Sequence, residues 1–513
     1  MDEAGLYGTR IVVHARDPKQ TSYPPLFANL IVSTRALDDG SGAHSRDELH
    51  EIRRLLRPFG GKACLGPAGA LSIETRGALE EAGAWTHQYA DAGNTSCSND
   101  AILKGQLGMF WFRDVEQEIP QRHGRAPASL FCEGRLYCEG LDSLLAVDAY
   151  NGTLLWRLSL EGVLRAYDAD HFMGTAGSGS NYCVSPQAVY LRTEDRCLSI
   201  DPQTGRELGR FQSPAARGRK EGRKEGTWDF LATADGRVYG SVADTKYLVL
   251  YRRRPVEGIY TESLELFALD GKTGDVLWTR PAQHSIRHNA IAVGGGLIFF
   301  IDRPRAPFDI DWKAPPVNHP GGELIALDAA SGERAWSTSE GVYGTVLIYS
   351  ADHDALLTGY QSARNTLRSE IGGRMRVYKA STGSVVWQSD KAKHVTRPVV
   401  VGRTIYAESS AGGLALDLLT GENRPFPFQR SYGCGQLSSS ENLLVYRSAT
   451  STSRKTTATV TTAACASVAG STRSPRAVWS WYPTPPPVAL AATSIGHGSR
   501  CGRRMGVTGE TGA

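Results

Sequence analysis

The chain has 513 residues, 41% hydrophobic and 9% aromatic, with 56 Gly and a formal net charge of +4. That charge sits at the C-terminus: residues 451–513 carry Arg454, Lys455, Arg473, Arg476, Arg500, Arg503 and Arg504 against Glu510, a local +6 that leaves −2 on residues 1–450. The body therefore has no basic field to attract nucleic acid. No run is long enough for a membrane span, and nine scattered Cys without a Cys-x-x-Cys argue against zinc and a dense disulfide framework.

The start, Met1-Asp2-Glu3, lacks the basic and apolar regions of a signal peptide. Residues 10–14 and 27–33 read as two short buried strands. Residues 46–56 have helical spacing, Arg57-Pro58-Phe59-Gly60-Gly61 ends that helix, and 62–65 form a third strand. Strand–loop–strand–helix–turn–strand is α/β organisation of the kind that makes a parallel sheet. Residues 67–84 are small and polar and read as a linker.

From residue 85, where Trp85-Thr86-His87-Gln88-Tyr89 opens a new region, the chain becomes repetitive. The pattern Ala-x-Asp-x-x-x-Gly-x-x-x-Trp is clearest with Asp270, Gly274 and Trp278. It returns with Asp148, Gly152 and Trp156, and with Asp328, Gly332 and Trp336. A fourth copy keeps Gly383 and Trp387 but has Lys379 in place of Asp; two weaker copies keep Asp201 with Gly205, and Asp417 with Gly421. Each copy spells a β-hairpin. The Asp carboxylate accepts turn N–H groups, the Gly supplies positive φ, and the Trp is a plate for packing between sheets. Before each hairpin lies an apolar strand pair: 126–137, 181–190, 228–239, 289–301, 345–357, 397–406 and 436–446, the last with its hairpin beyond 446. Units this small cannot bury their own faces and must stack; four strands per unit, arranged radially, make a propeller blade. Inserts interrupt the spacing. The longest, between Ser241 and Glu262, holds Arg252-Arg253-Arg254, and 218–226 is a charge-mixed loop.

The pattern stops near Thr450. The remaining residues are rich in Thr, Ala, Ser, Arg and Pro with almost no periodicity, a disordered composition. Back-translated and shifted by one base, 467–492 can be spelled to parallel this chain's own 289–302, which implies a frameshift near residue 450. The coding DNA tests this.

Two resemblances accompany these readings. Residues 1–66 resemble the latter half of a class I S-adenosylmethionine-dependent methyltransferase, with "FANLIVS" as the fourth strand, "LLRPFGGKACLG" as helix end and fifth strand, and Asp17 at the acid that faces the adenine. The Gly-rich first loop and ribose-holding acid would lie before Met1, so the resemblance implies a truncated domain whose cofactor site is incomplete. Residues 85–446 resemble the pyrroloquinoline-quinone (PQQ)-like propeller repeat of quinoprotein alcohol dehydrogenases and BamB-like outer-membrane assembly propellers. The fold expected is thus mainly β: an eight-bladed (seven to eight) PQQ-like propeller at 85–450, behind a partial Rossmann-like segment, with an aberrant tail at 451–513.

Function is less legible, because enzymes and scaffolds share this fold. A quinone-dependent dehydrogenase would need vicinal cysteines, a calcium site and an Asp base on the axis. The chain has no adjacent cysteines, its repeat Asp residues are used by turns, and calcium needs several converging oxygens. No cofactor or metal is expected. A site, if any, lies where inner strands begin: Arg125, Asn181, His288, Asn289, Tyr343, Arg397 and Tyr432. His284 and His288 read as hydrogen-bonding residues on a loop rather than a metal pair. His394 with Arg397 is equally an anion site or a rim contact, and Gly177-Ser178-Gly179 precedes a strand and is no nucleophile elbow. Cys132 and Cys138 could pair, though free thiols are the expected state. The function expected is a non-catalytic propeller that presents its face to a protein or small ligand. Quinone oxidoreduction and methyl transfer are the alternatives. Relatives by resemblance are commonly exported to the cell envelope, and the sequence does not fix an oligomeric state.

Overall fold

The computed structural model describes residues 7, 10–33, 43–67, 69–104, 110–111, 113, 117, 126–167, 179–193, 196–217, 226–246, 250–251, 254–255, 260–311, 313–315, 321–360, 369, 372–409, 412–426, 428 and 437–445. Arg125, Tyr432, Gly177, Ser178, the loop 218–225 and the tail 451–513 lie outside them.

The N-terminal segment is a β–α–β unit. Strand β1 (Leu30–Val32) pairs in parallel with β2 (Lys62–Leu65), and helix α1 (Arg46–Leu55) crosses between them. Ser45 caps α1 reciprocally with Glu48, and Leu56 ends it in extended backbone. Two expectations are corrected. The expected strand at 10–14 is reduced to an isolated bridge of Ile11 with Tyr7, and Val12 and Val13 stand exposed at 55% and 61%, with no strand among the described residues to take up their backbone groups. β1 is likewise exposed rather than buried, at Leu30 and Val32. Within the expected linker, β3 (Ser72–Thr75) pairs antiparallel with β2. The segment docks on the ring through Leu26, buried in the core beside Leu130 and Leu136, and through Arg57, whose Nη1 lies 3.0 Å from the Asp148 carboxylate.

The rest is mainly β, in antiparallel sheets that follow one another along the chain. Sheet I holds Leu130–Cys132, Arg135–Glu139, Ser143–Asp148 and Leu154–Ser159; sheet II holds Tyr182–Val184, Val189–Thr193, Arg196–Ile200 and Glu207–Gln212. Sheets III and IV are fused. Trp228–Ala234, Arg237–Ala243 and Glu262–Asp270 share the 19-residue strand Val276–Gly294 with Leu297–Asp302, Glu323–Asp328 and Arg334–Thr338. Sheet V holds Val346–Ser350, Ala355–Gly359, Met375–Lys379 and Val385–Ser389. Sheet VI holds Val399–Val401, Thr404–Ser409 and Gly412–Asp417, and sheet VII Ser438–Ser439 and Leu444–Val445. The seven expected inner strand pairs all fall on these ladders. The insert after Ser241 contains a small hairpin, Leu250–Tyr251 with Arg254–Pro255.

The repeat signature works as its chemistry dictates. Asp201, Asp270, Asp328 and Asp417 each accept two turn N–H groups on Oδ1, and Asp148 accepts that of Tyr150. Where Lys379 replaces the Asp, Asp354 of the neighbouring turn reaches across to the N–H and Oγ of Ser381. The signature glycines Gly152, Gly205, Gly274, Gly332, Gly383 and Gly421 all have φ between 71° and 76°. Each is covered by an aromatic ring, so a Cβ there would be strained and would also collide. Trp156 lies on Gly205, Trp278 on Gly332, Trp336 on Gly383 and Trp387 on Gly421. Each of these indoles also donates to the carbonyl one residue past the turn's first position: Pro202, Ala329, Ala380 and Leu418, at 2.8–3.2 Å.

Two of the covering rings, Phe211 and Trp111, lie outside the Trp positions of the signature. Gly274 is covered by Phe211, and since a phenyl ring has no donor, Tyr190 Oη supplies the hydrogen bond to Gly271 O at 2.9 Å. Gly152 is covered by Trp111, whose Nε1 donates to Ala149 O at 2.8 Å. Trp111 thus stands ahead of sheet I where each later sheet has the plate of its predecessor.

At the centre of the ring runs the stretch 84–98. One N–H from the inner strand of each sheet donates to it: Phe131 to Trp85 O, Val184 to Thr86 O, Thr233 to His87 Nε2, Val293 to Ala92 O, Tyr349 to Gly93 O, Val400 to Thr95 O and Ser439 to Ser96 O, all between 2.7 and 3.1 Å. These donors lie at or next to the C-terminal ends of the inner strands. The segment therefore closes one end of the axial channel and leaves the end where inner strands begin as the mouth.

Candidate functional site at the channel mouth

Inner strands begin at the mouth and second strands finish there, so both bring polar side chains to the rim. Asn181, just ahead of Tyr182–Val184, donates Nδ2 to Glu139 Oε1 at 2.7 Å; Glu139 ends the second strand of sheet I. Both are buried, and Asn181 Oδ1 and Glu139 Oε2 accept no hydrogen bond. Burial pushes the Glu139 carboxyl up to about 8, against the opposing effects of Asn181 and Arg192. Arg192 pairs with Asp229 at 3.2 Å, and Asp229, at the start of the inner strand of sheet III, is pushed by burial up to about 7 with Arg192 opposing.

His288 Nε2 lies 3.4 Å from Asp229 Oδ2 and 2.8 Å from Ser263 Oγ, which in turn shares a hydrogen bond with Ser241 Oγ at 2.6 Å. The ring nitrogen that meets the hydroxyl is the one facing the carboxylate, so this is no nucleophile–base–orienter relay. Further round, Glu262 is fully buried between Arg287 (2.9 Å) and Arg303 (3.2 Å) and accepts from Ser285 Oγ. Burial would raise its carboxyl, but Arg303 and Arg287 outweigh that and hold it below the usual range. Arg303 Nε and Nη1 have no hydrogen-bond partner.

Of the residues expected at the mouth, His288 and Asn289 line one pocket, and Asn181 stands between two of its lining residues, Ser180 and Tyr182. Its wall also includes His87, Tyr89 and Asn94 of the axial segment, and its empty volume is about 470 Å³, open solvent included. Arg397 is buried with its guanidinium 3.9 Å over the Tyr89 ring and donates to Leu347 O. His394 does not join it as an anion site: it stacks on Tyr360 at 4.1 Å, bonds Thr396 O through Nδ1, and burial pushes it down to about 4, so it is neutral at pH 7. Tyr343 is buried with the guanidinium groups of Arg374 and Arg376 over its ring at 5.5 and 6.0 Å. His284 and His288 sit on the continuous strand Val276–Gly294 rather than a loop, His284 exposed and His288 buried. Among the described residues no three His, Cys, Asp or Glu side chains gather as metal ligands. Cys132 and Cys138 are separate buried thiols. Asp17 is exposed and its Oδ1 accepts the N–H of Lys19.

Glu139, Arg192, Asp229, Glu262 and Arg303 are not among the expected site residues. The signal available was a charged residue ending or opening an apolar strand run, as in "RLYCE" and "VYLR".

One consequence is measurable. Glu139 titrates at about 8 when folded against an ordinary carboxylate unfolded, so the folded state binds the proton more tightly. Its contribution is therefore full below the ordinary carboxylate range and is lost as pH rises towards 8. Glu139→Gln keeps the acceptor for Asn181 and removes the charge. The variant should match the parent near pH 4 and exceed its stability at pH 8, read from urea midpoints at both.

Radial antiparallel sheets, turn carboxylates and indoles seated on neighbouring glycines define a β-propeller of PQQ-like repeats. Residues 194–462 match the family described as outer membrane protein assembly factor BamB, more than half the sequence, and the chain belongs to that family. No curated protein matches it. Similar solved structures include BamB from Moraxella catarrhalis (14% identity, 70% of this chain and 88% of that one, TM-score 0.37). The computationally designed Ika8 protein (14%, 64% and 83%, 0.38) and a europium-containing methanol dehydrogenase (11%, 70% and 87%, 0.36) are also similar.

Proposed function

We propose that this propeller is a non-catalytic binding or scaffold module that offers its channel mouth and loops to a protein or small polar ligand, in the cell envelope as the family description suggests. The observation that carries the reading is the state of the mouth carboxylates. Asp229 faces Arg192, Glu262 is held by two arginines, and Glu139 is buried against the Asn181 amide, with burial raising its carboxyl. A guanidinium stands where a divalent cation would need negative oxygens, so these residues do not fit a calcium-bound quinone. No redox or Lewis-acid step is derived from them.

The ring is read as seven to eight blades; the seven sheets among the described residues and the plate of Trp111 ahead of sheet I support that count. Residues 1–66 are read as methyltransferase-like, supported by the parallel β1–α1–β2 unit. No helix among the described residues is long and apolar enough to cross a membrane.

Incubating the protein with pyrroloquinoline quinone and calcium, followed by desalting, should leave no quinone absorbance. Titrating S-adenosylmethionine in a calorimeter should give no heat. Retained stoichiometric quinone would replace this reading by an oxidoreductase, and saturable heat by a methyltransferase.

A further inference from the structure

The contacts of residues 84–98 have an order that side-chain packing alone would not produce. The acceptors Trp85, Thr86, His87, Ala92, Gly93, Thr95 and Ser96 rise along the segment in the same sequence as the sheets rise around the ring. Between its first and second halves the segment turns sharply, with Ala90 and Asn94 at positive φ (73° and 66°). That turn is knitted by Asp91, which accepts the N–H and Oγ of Thr95. Asn94 then spends its amide on two sheets at once, donating to Ile291 O (2.8 Å) and Leu347 O (3.2 Å). Ser98 closes the circuit by donating to Ser439 O, on the sheet opposite in sequence from Trp85 and Phe131.

These are the contacts a groove makes with a bound, folded-back peptide: main-chain hydrogen bonds at six of the seven acceptors for affinity, with His87 Nε2 and a few buried side chains for register. We infer that the axis of the ring is a peptide-binding site whose resident ligand is the chain's own 84–98 segment. In this role the segment is the shared seam of the fold, so that sheets far apart in sequence open together through it. Ring closure between sheets I and VII runs through the seam, Trp85 with Phe131 on one side and Ser96 and Ser98 with Ser439 on the other. The bound segment also explains why the channel is blind, leaving one face for other ligands.

The test is amide exchange on the full chain carrying Asn94→Ala, which removes both amide hydrogen bonds and puts a less suitable residue at positive φ. Gly93→Val is the harsher partner, since a Cβ there would sit 2.8 Å from Tyr349 O. Val386→Ala, at an exposed position on the outer strand of sheet V, serves as a remote control. If the seam couples the ring, Asn94→Ala speeds exchange at least about tenfold at all seven donor amides, Phe131 and Ser439 included, whereas Val386→Ala leaves them unchanged. Acceleration confined to Val293 and Tyr349 overturns the inference. Adding a synthetic peptide of residues 84–98 to either variant should restore protection at Phe131 and Ser439; no restoration at millimolar peptide contradicts the peptide-site assignment.

Discussion

Trp278→Ala should lower the free energy of unfolding by about 3–5 kcal/mol, the range for truncating a large buried aromatic. The indole is 7% exposed, covers Gly332 and donates to Ala329 O at 3.2 Å, so its removal opens a cavity between sheets III and IV and takes away one of that carbonyl's donors. Trp278→Phe keeps most of the plate and loses only the donor. It should cost about 1–2 kcal/mol, softened because Tyr239 Oη also reaches Ala329 O at 3.3 Å. Denaturant unfolding of both variants separates packing from hydrogen bonding. A Trp278→Ala loss below that of Trp278→Phe would show that the indoles are not the joints between sheets.

The second large effect is electrostatic. Glu262→Leu should destabilise by about 3–5 kcal/mol, because it strands two guanidinium groups that are 1% exposed. A double variant, Glu262→Leu with Arg303→Met, removes one stranded charge and should recover part of the loss despite being the more heavily substituted. If the double variant is the less stable of the two, the cost lies in packing rather than in an unpaired buried charge. The comparison needs only urea midpoints at pH 7.

Much of the ring could be read from the sequence because its physics is local. A turn carboxylate, a positive-φ glycine and an alternating strand ending in Trp fall within eleven residues, and Asp270, Gly274 and Trp278 behave as that spacing implies. The inner strand pairs were equally plain, each an apolar run bent at a turn. The axial segment was not, since its bonds join main-chain atoms up to 343 residues apart, as between Ser96 and Ser439, and main-chain atoms leave no trace in composition. Trp111 was hidden for a related reason, standing without the Asp and Gly that mark the other plates. The replacement of an indole by Phe211 plus Tyr190 divides one role between two strands, which no linear motif can register. In the N-terminal segment the β-branched run at 10–14 suggested a strand, but strand propensity without a partner carries little weight. At the mouth, His288 and Asn289 line the pocket and Asn181 lies between its lining residues Ser180 and Tyr182. The carboxylates and arginines around them come from different strands of neighbouring sheets, Glu139 and Arg192 from second strands, Asp229 from an inner strand and Glu262 from a third, and that convergence is set by the packing of sheets rather than by any linear spacing.

Closure is the claim on which the rest stands, and one engineered crosslink reads it directly. Cys97 and Ser439 are parallel bridge partners, and the Cys97 thiol lies against the Ser439 hydroxyl. Introducing Ser439→Cys and oxidising mildly should give a disulfide between residues 97 and 439, identified by peptide mass spectrometry, in a protein that still unfolds in a single transition at higher denaturant. Two thiols that stay free in the folded protein, with Cys97 alkylated at the rate of an exposed side chain, would mean that the ring is open and the axial segment lies elsewhere.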